Sequence, residues 1–233
     1  MRERPVVLVA GASRGLGLEL VRQFADRGWT VIGTAREVTR ASELIRLQGE
    51  RPDRISIRAL DIAKPESVAA LKVELGDASL DVLYINAGIM GPNHHDPARI
   101  SDAEFDELML TNALAPIRLA GALIGNLRDE KSVVAFMTSQ LGSILENDNG
   151  GYDLYRASKA ALNSLTRSFV ARLRPPRPTV LSLHPGWVKT DMGGAKAPLE
   201  APESVAGMLD IVEAARGAGG HRFLDYQGRE IPW

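Results

Sequence analysis

Val6-Val7-Leu8-Val9-Ala10-Gly11-Ala12-Ser13-Arg14-Gly15-Leu16-Gly17 is the stretch on which the fold turns. Five apolar residues without alternation suit a strand buried on both faces of a parallel sheet. Three glycines follow within seven residues, and Leu18, Val21, Phe24 and Ala25 then recur at helical spacing as far as Gly28. Strand, glycine turn and helix make a phosphate-binding βα unit: glycines let the backbone approach closely, and the helix N-terminus offers unpaired N–H groups to an anion. The spacing is Gly-x-x-x-Gly-x-Gly, not the general Gly-x-Gly-x-x-Gly. Gly11 to Gly15 also satisfies the Gly-x-Ser-x-Gly of a hydrolase nucleophile elbow, with Ser13 as nucleophile and His184 or His221 as base. That reading needs an oxyanion loop from an earlier strand connection, and only ten residues precede Gly11.

Outward from this unit the pattern repeats. Apolar runs at 30–34, 55–60, 80–85, 133–137, 180–183 and 221–224 read as further strands. Helices are predicted from Pro65, from the capping box at Ser101-Asp102-Ala103-Glu104, through Tyr155, and around 204–215. About seven strands alternating with helices predict an α/β fold, a doubly wound parallel sheet forming a single domain over residues 1–233. Ligands of such sheets sit at the carboxyl ends of the strands, where Gly11, Asp61, Asn86, Ser139 and Pro185 would share one rim. The longest irregular pieces are 141–151, expected to loop out over the site, and 187–202, where Gly193-Gly194 suggest a mobile lid. The segment 225–233 is expected to close over the pocket or a neighbouring subunit.

Charge and composition narrow the function. With 28 basic and 29 acidic residues the net charge is -1, which offers no global field to nucleic acid or an anionic membrane. The absence of cysteine removes disulfides, thiolate metal sites and cysteine nucleophiles. The apolar run after Pro5 is too short for a signal peptide or a membrane span, so a cytoplasmic protein is expected. His94-His95-Asp96 admits a metal reading, but adjacent histidines point apart and no third ligand is suitably spaced. A loop at the cleft edge, with no metal, is expected there.

Tyr155-Arg156-Ala157-Ser158-Lys159 places a phenol and an ammonium four residues apart, one above the other on a helix whose buried face continues through Leu162, Leu165, Phe169 and Leu173. A free phenol titrates near pH 10, and an adjacent cation would lower that value toward the range of efficient acid–base catalysis. Tyr152 lies seven residues from Lys159 and is out of its reach.

Taken together, the glycine turn, Asp61, Asn86-Ala87-Gly88, Asn112, Ser139, Tyr155-x-x-x-Lys159 and Pro185-Gly186 resemble the short-chain dehydrogenase/reductase family, in order and over nearly the whole chain. Residues 152–159 and 184–194 resemble the branch that includes sniffer-type carbonyl reductases and the bacterial C-factor. The resemblance implies an oxidoreductase acting on a small carbonyl or alcohol, as a homodimer or homotetramer. Tyr155 would be the proton donor, Ser139 would hydrogen-bond the substrate oxygen, Lys159 would hold the nicotinamide ribose, and Asn112 would complete a water-linked relay. Cofactor contacts are implied at Gly11, Ser13, Arg14, Gly15, Leu16, Gly17, Arg36, Asp61, Ile62, Asn86, Ala87, Gly88, Lys159, Pro185, Gly186, Val188 and Thr190. The interval from Ser139 to Tyr155 is longer than usual for the family, and Ser143 is a second serine within it. NAD-binding relatives carry an acidic residue where this chain has Ala35, and with Arg36 and Arg14 nearby the expected cofactor is NADP(H). The competing reading is a non-catalytic NADP(H)-binding sensor on the same fold.

Overall fold

In the computed structural model, which describes residues 4–175 and 177–233, the strands are β1 (Val6–Ala10), β2 (Thr30–Ala35), β3 (Ile55–Ala59), β4 (Val82–Ile85), β5 (Val133–Met137), β6 (Thr179–His184) and β7 (His221–Asp225). They form one sheet in the order β3-β2-β1-β4-β5-β6-β7, every neighbouring pair parallel. The chain winds outward from β1 to β3, then returns to β4 and winds the other way. The switch point therefore lies between β1 and β4, where a crevice opens at the carboxyl ends of the strands.

Side chains alternate across each strand, so consecutive residues feed two cores. Val7, Val9, Val31, Tyr84 and Ala135 pack on one face with helices α1 (Gly15–Asp26), α2 (Ser42–Glu50) and α7 (Ala201–Ala214). Leu8, Ala10, Leu83, Ile85 and Phe136 pack on the other with α3 (Pro65–Leu75), α5 (Ala115–Leu123) and α6 (Asp153–Arg172). Both layers are apolar, which explains why the strands read as continuous apolar runs. The fourth strand starts at Val82, not at residue 80: Leu80 is held instead in an isolated bridge to Leu127, while Asp81 is fixed through its carboxylate. It accepts from Val6 N–H at 2.9 Å and pairs with Arg216 at 2.6 Å and Arg128 at 3.4 Å.

Ser101 caps α4 (Asp102–Met109) with the full reciprocal capping box that its sequence predicts. The helix then widens into a π-turn at Leu110–Leu114 before α5. Apolar residues from this whole stretch, including Leu108, Ala113, Leu119 and Leu123, are buried. Asp102–Asn126 is long and apolar enough to cross a membrane by composition, but that apolar character serves the core of this fold.

Two irregular segments, 225–233 and 144–151, meet beside the edge strand β7. The end of the chain covers the outer edge of β7 instead of the cleft: Asp225 and Ile231 N–H groups bond to the Arg229 and Phe223 carbonyls, each at 2.9 Å, and Trp233 packs on the His221 and Phe223 rings. An otherwise open sheet edge is thereby paired. Residues 144–151 are exposed, and Leu145 N–H donates to the Trp233 carbonyl at 3.3 Å, so this excursion is tied to the terminal segment.

Candidate active site

The crevice at the switch point is a cleft of about 470 Å³. Its floor begins with the turn after β1. Gly11 has φ +85°, and a Cβ there would lie 2.8 Å from the Ala87 Cα; one at Gly17 would collide with the Gly11 carbonyl oxygen and stand 2.6 Å from Asn86 Nδ2. Both positions therefore need glycine, and the Asn86 amide locks the turn by donating to the Gly11 carbonyl at 2.7 Å. No side chain caps α1, whose N-cap is Arg14, so its first amides face the cleft without a protein side-chain partner. This cradle, with Arg14 and Arg36 on its rim, fits a phosphate-bearing ligand.

Of the expected cofactor residues, Gly11, Ser13, Arg14, Gly15 and Leu16 line the cleft from the first turn, and Arg36, Asp61 and Ile62 from the ends of β2 and β3. Asn86, Ala87 and Gly88 line it from β4, and Pro185 and Thr190 from beyond β6. Gly17, Gly186 and Val188 stand behind this lining. Gly17 permits the close approach just described, and Val188 is buried and bridges to Leu199. Asp61 holds its own turn, its Oδ1 accepting from Ala63 N–H at 3.1 Å. Glu37, a competing charge beside Arg36, pairs with Arg40 at 2.9 Å.

At the other end of the cleft lie Tyr155 and Lys159, one turn apart on α6, with Ser139 following β5. All three are under a tenth exposed. The Ser139 side chain lies close enough to the Tyr155 phenol to act on it, and its Oγ accepts from Leu141 N–H at 3.1 Å. Ser143 is buried, its Oγ accepts from Glu146 N–H at 3.2 Å, and it is Ser139, not Ser143, that acts on the phenol. Lys159 Nζ lies 5.6 Å from the Tyr155 ring centroid and donates to the Met137 carbonyl at 3.1 Å.

Electrostatics here run against the expectation drawn from spacing. Burial pushes the Tyr155 phenol up to about 12, opposed in part by the Ser139 hydrogen bond. Burial also lowers the Lys159 ammonium to about 8. An i, i+4 spacing brings the two groups together but says nothing of their desolvation, which disfavours the charged form of each. A phenol raised this far keeps its proton at neutral pH.

Asn112 sits in the π-turn and is fully buried. Its Oδ1 accepts from Ile89 N–H at 2.8 Å, and its Nδ2 donates to the Ile89 carbonyl at 2.7 Å and to Ser158 Oγ at 3.0 Å. Both amide protons are thus engaged, and the side chain clamps the loop after β4 to α6. Sequence reasoning missed Ser158, the Met137 carbonyl, and Thr138, whose hydroxyl donates to Asn163 Oδ1 at 2.9 Å. The available signal was polar residues Ser158, Asn163 and Thr166 on the otherwise apolar, buried side of α6.

Two rim features complete the geometry. His95 and Tyr152, the only non-glycine residues with positive φ among the described residues, stack with ring centroids 4.9 Å apart. His95 thus ties the loop after β4 to the start of α6. Residues 187–200 fold back on themselves: Lys189 N–H donates to the Leu199 carbonyl at 2.8 Å and Trp187 Nε1 to the Gly193 carbonyl at 2.8 Å. A Cβ at Gly193 would strike the Val188 carbonyl oxygen, so this glycine serves close packing in addition to backbone freedom.

Residues 5–200 match the short chain dehydrogenase family. The chain belongs to the short-chain dehydrogenase family. It is 43% identical to the C-signal protein of Myxococcus xanthus over 158 residues, which are 66% of this chain and 93% of that one. Among solved structures, a short-chain dehydrogenase/reductase from Burkholderia multivorans with bound NADP superposes with a TM-score of 0.96 at 41% identity, covering 99% of this chain and all of the other. A carbonyl reductase from Pseudomonas aeruginosa PAO1 in complex with NADP gives 0.93 at 41% identity over 99% and 100%. The carbonyl reductase Sniffer of D. melanogaster gives 0.87 at 33% identity with the same coverage. Within the family this dehydrogenase therefore falls in the sniffer-type and C-signal branch.

Proposed function

We propose that this short-chain dehydrogenase is an NADP(H)-dependent oxidoreductase acting on a carbonyl/alcohol pair, with Tyr155 as general acid and base. The observation that carries the reading is the meeting of a protonated, buried phenol, Ser139 and Lys159 at one end of a cleft whose other end is a glycine cradle flanked by arginines. When bound, the cofactor supplies the hydride, which no side chain can provide. The protein's own groups handle the rest. Ser139 donates to the substrate oxygen as it gains charge, and Tyr155 delivers the proton that turns this alkoxide into an alcohol. Lys159, anchored to the Met137 carbonyl and within reach of the ring, orients the ribose and supplies positive charge beside the phenol. Asn112 acts through Ile89 and Ser158 to hold α6 against the loop after β4. NADP stands in the similar structures from B. multivorans and P. aeruginosa, which supports the choice of cofactor.

Spectrophotometric oxidation of NADPH against a panel of aldehydes, ketones and quinones tests the reading. Turnover of at least one class is expected. Tight NADPH binding with no turnover across the panel would instead support a sensor.

The protonation states give a pH signature. Reduction needs the phenol protonated, a condition met throughout the neutral range with a value near 12. Oxidation needs the phenolate, whose fraction grows about tenfold per pH unit below that value. Alcohol oxidation is therefore expected to accelerate from about pH 6 to 7.5, below the value of about 8 at which Lys159 loses its charge, while carbonyl reduction does not. An oxidation rate that is flat or falling over that range contradicts the assignment.

A further inference from the structure

Arg14 and Asp191 form an ion pair at 3.0 Å across the mouth of the cleft. One belongs to the glycine turn and the other to the segment after β6, and both line the cleft as well as the adjoining cavity beside Gly91. The two segments run close together, with room for little more than a methyl group between Gly15 and Thr190, since a Cβ on Gly15 would lie 3.7 Å from Thr190 Cγ2. Both charged side chains are about three-quarters exposed, at 76% and 77%, so the pair contributes little to the stability of the fold. Its significance lies in its place, since it engages a guanidinium on the rim of the phosphate cradle.

We propose that Asp191 is a cofactor-specificity residue that acts by competition: it holds Arg14 as an intramolecular stand-in for the 2′-phosphate, which must displace the carboxylate to bind. The inference rests on the NADP(H) reading. A phosphate carries up to two negative charges and three acceptor oxygens, against one charge and two oxygens for the carboxylate, so it wins the guanidinium once it arrives. Until then only the fraction of molecules with Arg14 released is ready to bind, and the apparent dissociation constant rises by the inverse of that fraction. For an exposed pair of ordinary strength this penalty is about two- to sixfold. It falls on NADPH alone, because NADH has no 2′-phosphate to recruit Arg14. Partner exchange also unties the segment after β6 from the glycine turn, which links cofactor capture to freedom of that segment.

Equilibrium titration of the purified protein with NADPH and NADH, in wild type, Asp191→Asn, Arg14→Ala and the double variant, tests this. Asp191→Asn is expected to tighten NADPH about two- to sixfold and to leave NADH unchanged. Arg14→Ala is expected to weaken NADPH about tenfold or more, and in that background Asp191→Asn is expected to have no effect. Unchanged or weaker NADPH binding in Asp191→Asn overturns the proposal. So does tightening of both cofactors alike, or tightening that survives Arg14→Ala. Failure of the underlying reading looks different: wild type itself would then bind NADH as tightly as NADPH.

Discussion

Tyr155→Phe is expected to lower kcat by about 10²–10⁴-fold while NADPH affinity stays within about twofold of wild type. The ring is retained, so the packing of a residue that is only 8% exposed is preserved. What goes is the hydroxyl that lies beside Ser139 and would meet the substrate oxygen. Tyr152→Phe is the internal control. Its ring faces His95 and it stands three residues away, so removing its hydroxyl is expected to change kcat by less than about twofold. A Tyr155→Phe enzyme that keeps more than half of wild-type turnover contradicts the assignment of the acid.

The second large effect is expected at the end of β2. Ala35 closes the strand, is buried, and lines the cleft beside the exposed Arg36. A carboxylate at this position would accept from ribose hydroxyls and repel a 2′-phosphate, so Ala35→Asp is expected to shift preference toward NADH. Arg36→Ala removes one charge-assisted partner of the phosphate, a bond of about 1.5–3 kcal/mol. NADPH binding is then expected to weaken by about ten- to a hundredfold with NADH little changed. Glu37 does not cancel Arg36, because its carboxylate is engaged by Arg40. The kcat/KM ratios for the two cofactors in wild type and both variants check this, and a ratio that neither substitution narrows would place the phosphate elsewhere.

Much of this architecture was legible in the chain, for a physical reason. A parallel sheet covered on both faces writes its strands as unbroken apolar runs, so β1 and β5 were read to the residue. Ends were less clear where an apolar residue pairs outside the main strands, as Leu80 does with Leu127. The π-turn that carries Asn112 was invisible because apolar spacing runs through it without a break. The direction of the Tyr155 shift was misread because spacing reports proximity and not burial. His95 and Tyr152 carry no glycine to announce their left-handed backbones, so their contact emerged only with tertiary structure.

The central claim, hydride transfer to a carbonyl with the proton from Tyr155, is tested most directly by isotope. Purified enzyme would be incubated with NADPH carrying deuterium at both C4 positions of the nicotinamide, together with any aldehyde or ketone that supports oxidation. The alcohol product would then be analysed by mass spectrometry and NMR. One deuterium bound to the carbinol carbon, formed at a rate that collapses in Tyr155→Phe, is the expected result. An alcohol whose new carbon-bound hydrogen comes from solvent, or NADPH left unconsumed beside every carbonyl offered, would contradict it.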